Sequence, residues 1–167
     1  SFKGVNMKKK LIAAAVLFMT ANMANAATLD NTSSVKADFE VVGGCTVSGT
    51  WTGEQVPAAV YQGSAKRVGV LGISLSGCTS QVYFEGNDKN SEGLPQATDP
   101  KGNKIVIIPS FDALNNLVSK DATLNVFYSK NSLNDGDTLS VELVNRDQWN
   151  AKAGKHTMTL NVGTYSI

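Results

Sequence analysis

From residue 35 onward, apolar and β-branched residues recur at every second position in short runs, near 35–42, 45–51, 67–75, 80–85, 104–110, 123–128, 138–144 and 156–165. An extended strand points successive side chains to opposite faces, so this spacing describes half-buried strands. Turn-forming clusters separate the runs: Gly43-Gly44, Gly86-Asn87-Asp88, Asp99-Pro100-Lys101-Gly102-Asn103, Asn134-Asp135-Gly136-Asp137 and Ala153-Gly154. Nowhere does a three–four apolar spacing persist for the ten or so residues of a full helix. Only 111–118, Phe-Asp-Ala-Leu-Asn-Asn-Leu-Val, predicts a short helical turn. Seven or eight short strands with regular turns predict an all-β chain folded as an immunoglobulin-like β-sandwich.

The first residues stand apart from this pattern. Lys8, Lys9 and Lys10 follow Met7, Leu11 to Met19 form an apolar run, and Ala24-Asn25-Ala26 has small residues at the spacing of a cleavage site. These features predict a secretory signal peptide over 7–26 with the cut before Ala27. Thr20, Asn22 and Asn25 interrupt the run well short of the ~20 apolar residues a membrane-spanning helix needs. Residues 1–6 precede the leader and are set aside as upstream sequence. Mature residues 27–167 make one domain's worth of chain, divided into an N-terminal extension (27–44) and a folded domain (45–167).

Processing changes the sign of the charge. Four of the fifteen basic residues lie ahead of the cut and all fourteen acidic ones follow it, which leaves eleven against fourteen, a formal −3. That balance argues against nucleic acid or an anionic membrane as partner, since both reward dense positive charge. Cys45 and Cys78 are the only cysteines. In an exported chain such a pair predicts a disulfide. Two thiols and the single histidine, His156, make no metal-ligand pattern, so no cofactor or metal is expected.

The two ends carry the functional argument. Met158, Leu160 and Val162 share a face of the last predicted strand, and Ile167 closes the sequence soon after. This predicts an outer edge without a covering strand, with unpaired amides and part of the core exposed. At the other end, Leu29, Val35, Ala37, Phe39 and Val41 fall on one face of an extended segment, opposite Asp30, Lys36, Asp38 and Glu40. Such a segment suits insertion into another subunit's open edge, which is β-strand addition. An ordinary first strand pairing inside its own domain fits the same alternation.

The run from Phe39 into Cys45, the Leu75-Ser76-Gly77-Cys78 setting and the ending Ala153-Gly154-Lys155-His156-Thr157-Met158-Thr159-Leu160 together carry a family resemblance. The chain resembles the major subunits of the Afa/Dr adhesins and aggregative adherence fimbriae, with His156 where those subunits usually have an aromatic residue. The resemblance implies a sandwich lacking its last strand and completed by a donor strand from a neighbouring subunit, with Val35, Ala37, Phe39 and Val41 as donor residues. It implies a homopolymer assembled through a periplasmic chaperone and an outer-membrane usher and displayed on the cell surface as a fimbrium. It further implies attachment to host cell-surface proteins, such as decay-accelerating factor or carcinoembryonic-antigen-related receptors, or to matrix proteins such as fibronectin.

No catalytic signature competes with this reading: the chain has no G-x-S-x-G elbow, H-E-x-x-H, P-loop or dinucleotide fingerprint. His156 sits in a turn-then-strand segment, and Asp135 and Asp137 lie in a hairpin-type turn, so structural roles are expected for all three. Among the aromatics, Trp149 lies in the polar stretch Arg146-Asp147-Gln148-Trp149-Asn150 and is the candidate exposed receptor contact. Two alternatives remain at this stage: a structural pilin whose adhesion resides in a separate tip protein, and a secreted monomeric β-sandwich binding domain.

Overall fold

The computed structural model describes residues 26–41, 44–58, 60–61, 65–147 and 149–167. Apart from Ala26, the predicted leader and the residues ahead of it lie outside these. Two units are present, one ending at Gly43 and a compact one spanning Gly44–Ile167.

Twelve short elements make up the compact unit: β1 (Thr46–Gly53), β2 (Val60–Tyr61), β3 (Arg67–Ser76), β4 (Gln81–Gly86), β5 (Gln96–Thr98), β6 (Lys104–Pro109), α1 (Phe111–Asn116), β7 (Val118–Asp121), β8 (Val126–Ser129), β9 (Thr138–Asn145), β10 (Trp149–Asn150) and β11 (Leu160–Tyr165). They form two antiparallel sheets ordered β1-β3-β9-β6-β5 and β11-β4-β8-β7, with β2 and β10 pairing separately. The chain is an all-β sandwich of the immunoglobulin-like kind, as the alternation and turn spacing predict.

Period two explains the core directly. Leu71, Ile73 and Leu75 on β3 meet Val82 and Phe84 on β4, Phe127 on β8 and Val141 and Leu143 on β9, all buried. Phe84 and Phe127 lie on neighbouring strands with ring centroids 5.3 Å apart. Burying side chains of this size stabilises by about 1.5 to 3 kcal/mol each.

Differences from the sequence-based expectations have local causes. Predicted strand 123–128 is displaced because the Asp121 carboxylate accepts from the Thr123 and Leu124 amides, which makes a turn that Asn125 completes with φ 58°. Strands β7 and β8 flank that turn, so Val118 begins a strand instead of ending the predicted helix. The helix stops at Asn116, and its first turn is capped by the Ser110 side chain accepting from the Ala113 amide. The last strand starts at Leu160, not at 156, because Thr157 is drawn into a bridge with Thr98. Within predicted strand 35–42 the described part, 35–41, carries no strand.

Two tethers hold the sandwich beyond its ladders. Cys45 and Cys78 form a disulfide that joins the start of β1 to the turn after β3. On the outer face of the second sheet, Tyr165 stacks on Tyr128 with centroids 4.3 Å apart, and its hydroxyl donates to Asp121 Oδ2 at 2.8 Å. The Leu124 amide and the Tyr165 hydroxyl hold the Asp121 carboxyl below its usual range, while the Asp121 carboxylate and burial push the Tyr165 phenol up to about 12. Strand β11, at one edge of its sheet, is thereby fastened to β7 at the other.

Two outcomes are expected. Replacing both cysteines with serine should destabilise the domain by about 3 to 4 kcal/mol, the chain-entropy value for a loop of this length, seen as a lower denaturant midpoint. For the Tyr165–Asp121 pair the signs follow from the shifts: the depressed Asp121 stabilises above the ordinary carboxylate range near pH 4 and loses this as pH falls. The raised Tyr165 stabilises below pH ~10 and loses this as pH climbs through about 12. Melting temperature against pH should therefore fall off on both sides of that window, and Tyr165→Phe should remove the alkaline decline; an unchanged alkaline limb would contradict the tether.

Candidate functional site

Strands β1 and β11 are edge strands, one in each sheet, and no described strand pairs with their outer sides. In the register of β1 with β3, Val47, Gly49 and Trp51 lie opposite Leu75, Ile73 and Leu71, so they share the core-facing side. Likewise Leu160 and Val162 lie opposite Gly86 and Phe84 on the inner side of the second sheet. Both edges thus present apolar inner faces.

The result is a groove of about 780 Å³. Its floor is core: Leu71 of β3, Ala97 of β5, and Ile105 and Ile107 of β6. One wall is Gly49, Thr50, Trp51 and Gly53 of β1 with the following Glu54–Val56, and the other is the segment from Ala151 to Met158 with Leu160 and Val162. That second wall is held in place by paired main-chain hydrogen bonds between Thr98 and Thr157, at 2.8 and 2.9 Å. The β1 wall is extended by the Glu54 amide donating to the Val68 carbonyl at 2.9 Å. Because Leu71, Ala97 and Ile107 are themselves buried core residues, the groove opens the hydrophobic interior at this side.

The residues singled out from the sequence are placed as follows. Val35 and Phe39 are 89% and 64% exposed, and Ala37 and Val41 are exposed as well. The described segment 27–41 carries no helix or strand.

Trp149 departs from expectation. It is only 7% exposed, its Nε1 donates to the Pro57 carbonyl at 3.0 Å, and its ring lines the groove. Arg146 nearby pairs with Asp147 and with Glu92, so the indole turns inward while these charges face out. Trp149 is therefore not an exposed receptor contact.

His156 Nδ1 lies 3.0 Å from the Gly154 carbonyl oxygen on the groove rim. Asp135 accepts from the Gly77 amide and Asp137 from the Asn134 amide, both at 2.8 Å, within the turn where Gly136 adopts φ 90°. Asp99 is held below the usual carboxylate range, chiefly by the Asn103 side chain, and closes the 99–103 turn. Among the described residues no group of three or more His, Cys, Asp or Glu is placed to hold a metal ion, and no helix is long and apolar enough to cross a membrane.

Trp51 was not singled out by the sequence. It is 44% exposed although it stands on the core-facing side of β1 at the groove mouth. Its one sequence signal is parity with Val47 and Gly49.

No protein-family model matches the chain, and no curated protein matches it by sequence. Its fold is similar to several solved structures. The minor tip subunit HdaB of the E. coli Hda pilus aligns with a TM-score of 0.57 at 12% identity, over 71% of this chain and 82% of that one. Self-complemented MyfA, the major subunit of Myf fimbriae from Yersinia enterocolitica, aligns with a TM-score of 0.50 at 17% identity, over 72% and 85%. The same subunit in complex with galactose aligns with a TM-score of 0.50 at 19% identity, over 72% and 86%. The sandwich therefore has the fold found in pilus and fimbrial subunits.

Proposed function

We propose that the chain is a non-enzymatic fimbrial subunit that polymerises by donor-strand exchange, each copy's N-terminal segment filling the groove of the next. The observation that carries this is the open groove between β1 and β11, floored by Leu71 and Ile107, in a chain whose Val35, Ala37, Phe39 and Val41 are exposed at alternate positions of the sequence. An inserted strand would satisfy the free main-chain edges and bury the apolar face together. Covering Val35, Phe39 and Val41 contributes about 1.5 to 3 kcal/mol each, with further main-chain hydrogen bonds of ~1 kcal/mol each.

In this reading the groove is first closed by a periplasmic chaperone and then by the next subunit at an outer-membrane usher, and the product is a surface fimbrium. The Cys45–Cys78 setting and the ending 153–160 favour the Afa/Dr and aggregative adherence group within such subunits. Repetition of one subunit along a fibre turns weak attachment to a host receptor or matrix protein into avidity. A second reading, a structural subunit whose adhesion lies in a separate tip protein, is favoured by the burial of Trp149, which removes the one aromatic residue expected to reach a receptor.

Extracted without boiling, the assembled protein is expected to run as a ladder of multimers that collapses to monomer on heating. Phe39→Asp, and deletion of residues 27–42, should each leave monomer alone; a ladder that survives either change rules out the donor role. Purified polymer that binds host cells or matrix proteins supports the adhesin reading, and polymer that binds none supports the structural one.

A further inference from the structure

Resting on the strand-exchange reading above, we propose that Met158 is a redox-sensitive modification site: in the free subunit hydrogen peroxide converts its thioether to the sulfoxide, and the sulfoxide keeps the groove from being filled.

Four methionines occur in the sequence, and Met7, Met19 and Met23 belong to the predicted leader. Cys45 and Cys78 are bonded to each other, and no cysteine is free among the described residues. Met158 is therefore the one thioether that leader removal leaves in the chain, with no thiol to compete for an oxidant. It is half-buried, packs against the core and lines the groove together with Leu160 and Val162. A small oxidant reaches such a side chain for as long as the groove stands open. In the reaction the O–O bond of the peroxide breaks and one oxygen bonds to Sδ. The sulfur is oxidised by two electrons, and the peroxide is reduced to one molecule of water.

The main chain around Met158 fixes the consequence. Thr157 exchanges hydrogen bonds with Thr98 at 2.8 and 2.9 Å, and the Thr159 carbonyl accepts from the Asn87 amide at 2.9 Å. Met158 is thus pinned on one side to the end of β5 and on the other to the residue after β4, and it cannot swing out of the wall without breaking one of these links. Oxidation makes an apolar side chain polar, with an oxygen that needs a hydrogen-bond donor. Water supplies that donor in the open groove, so the folded subunit tolerates the change. An apolar segment laid over the wall excludes the water, and the floor of Leu71, Ala97, Ile105 and Ile107 offers no side-chain donor in its place. The unsatisfied oxygen then opposes filling, so the cost falls on assembly and not on folding. By the same geometry a filled groove shields the sulfur. Peroxide acts on subunits that have yet to join and spares those already in the fibre, and enzymatic reduction of the sulfoxide reverses the block.

Peptide mass mapping after hydrogen peroxide treatment tests the shielding. Sulfoxide at Met158 should form about tenfold more slowly in assembled multimers than in full-length Phe39→Asp, the chain expected to stay monomeric; equal rates overturn the proposal. The assembly block is read in cells producing the protein, as the unboiled multimer formed during a peroxide pulse relative to an untreated culture. That ratio should drop about tenfold for the unmodified chain and not at all for Met158→Leu, which has no thioether. An equal drop in both places the damage elsewhere and overturns the proposal. Met158→Gln, which sets a polar group of similar length in the wall, should give about tenfold less multimer than Met158→Leu, and equal yields overturn it. If circular dichroism finds Met158→Gln unfolded, the first two measurements decide. An unmodified chain that forms no multimers in untreated cells overturns strand exchange itself, whereas multimers that form regardless of peroxide overturn only the role of Met158.

Discussion

Leu71, Ile73 and Leu75 project from β3 into the space between the sheets, and most of what the molecule does follows from how that space is filled. At the Leu75 end, facing strands and Val47 of β1 close over the core. At the Leu71 end they do not, because the chain before β11 is held aside by its bridge from Thr157 to Thr98. One strand therefore supplies both the packed half of the interior and the floor of the groove. A change on β3 that loosened packing would be felt at both places.

The two edges bordering the groove are stabilised by quite different means. Strand β1 is paired with β3 over its whole length and carries the disulfide at its start. Strand β11 pairs with β4, and Tyr165 reaches across the outer face to Asp121 at the far edge of the same sheet. An open apolar groove tends to collapse, since closing it removes apolar surface from water. Fixing each wall to its own sheet, by a covalent bond on one side and an aromatic strap on the other, opposes that collapse.

Much of this was legible in the sequence, and the exceptions are instructive. Strands such as β3 and β9 announce themselves because every second residue is apolar over eight or ten positions. Strand β5 has three residues and β2 and β10 two each, too few for a period to register, and β2 and β10 pair with one another from distant parts of the chain. Trp149 was misjudged for the same reason: its neighbours in sequence are polar, but its neighbours in space are Pro57 and the groove lining. The exposed face of Val35, Phe39 and Val41 was visible as alternation within a single segment. The open edge at Met158, Leu160 and Val162 was visible too, but the groove's floor and its other wall were not, because they come from positions 49 to 107 that only the sheet order brings beside it.

The disulfide has a mechanical side. Tension applied through the segment ahead of Gly44 enters the compact unit at Cys45, immediately before an edge strand whose ladder begins at Thr46 and Ser76. Without a cross-link, such a pull would peel β1 from β3 one residue pair at a time, the weakest geometry in which a β-ladder can be loaded. With Cys45 bonded to Cys78 at a Cα separation of 5.2 Å, the load passes covalently to the turn between β3 and β4 and divides between the two sheets. A pull on that segment then does not peel the β1–β3 ladder from its first pair.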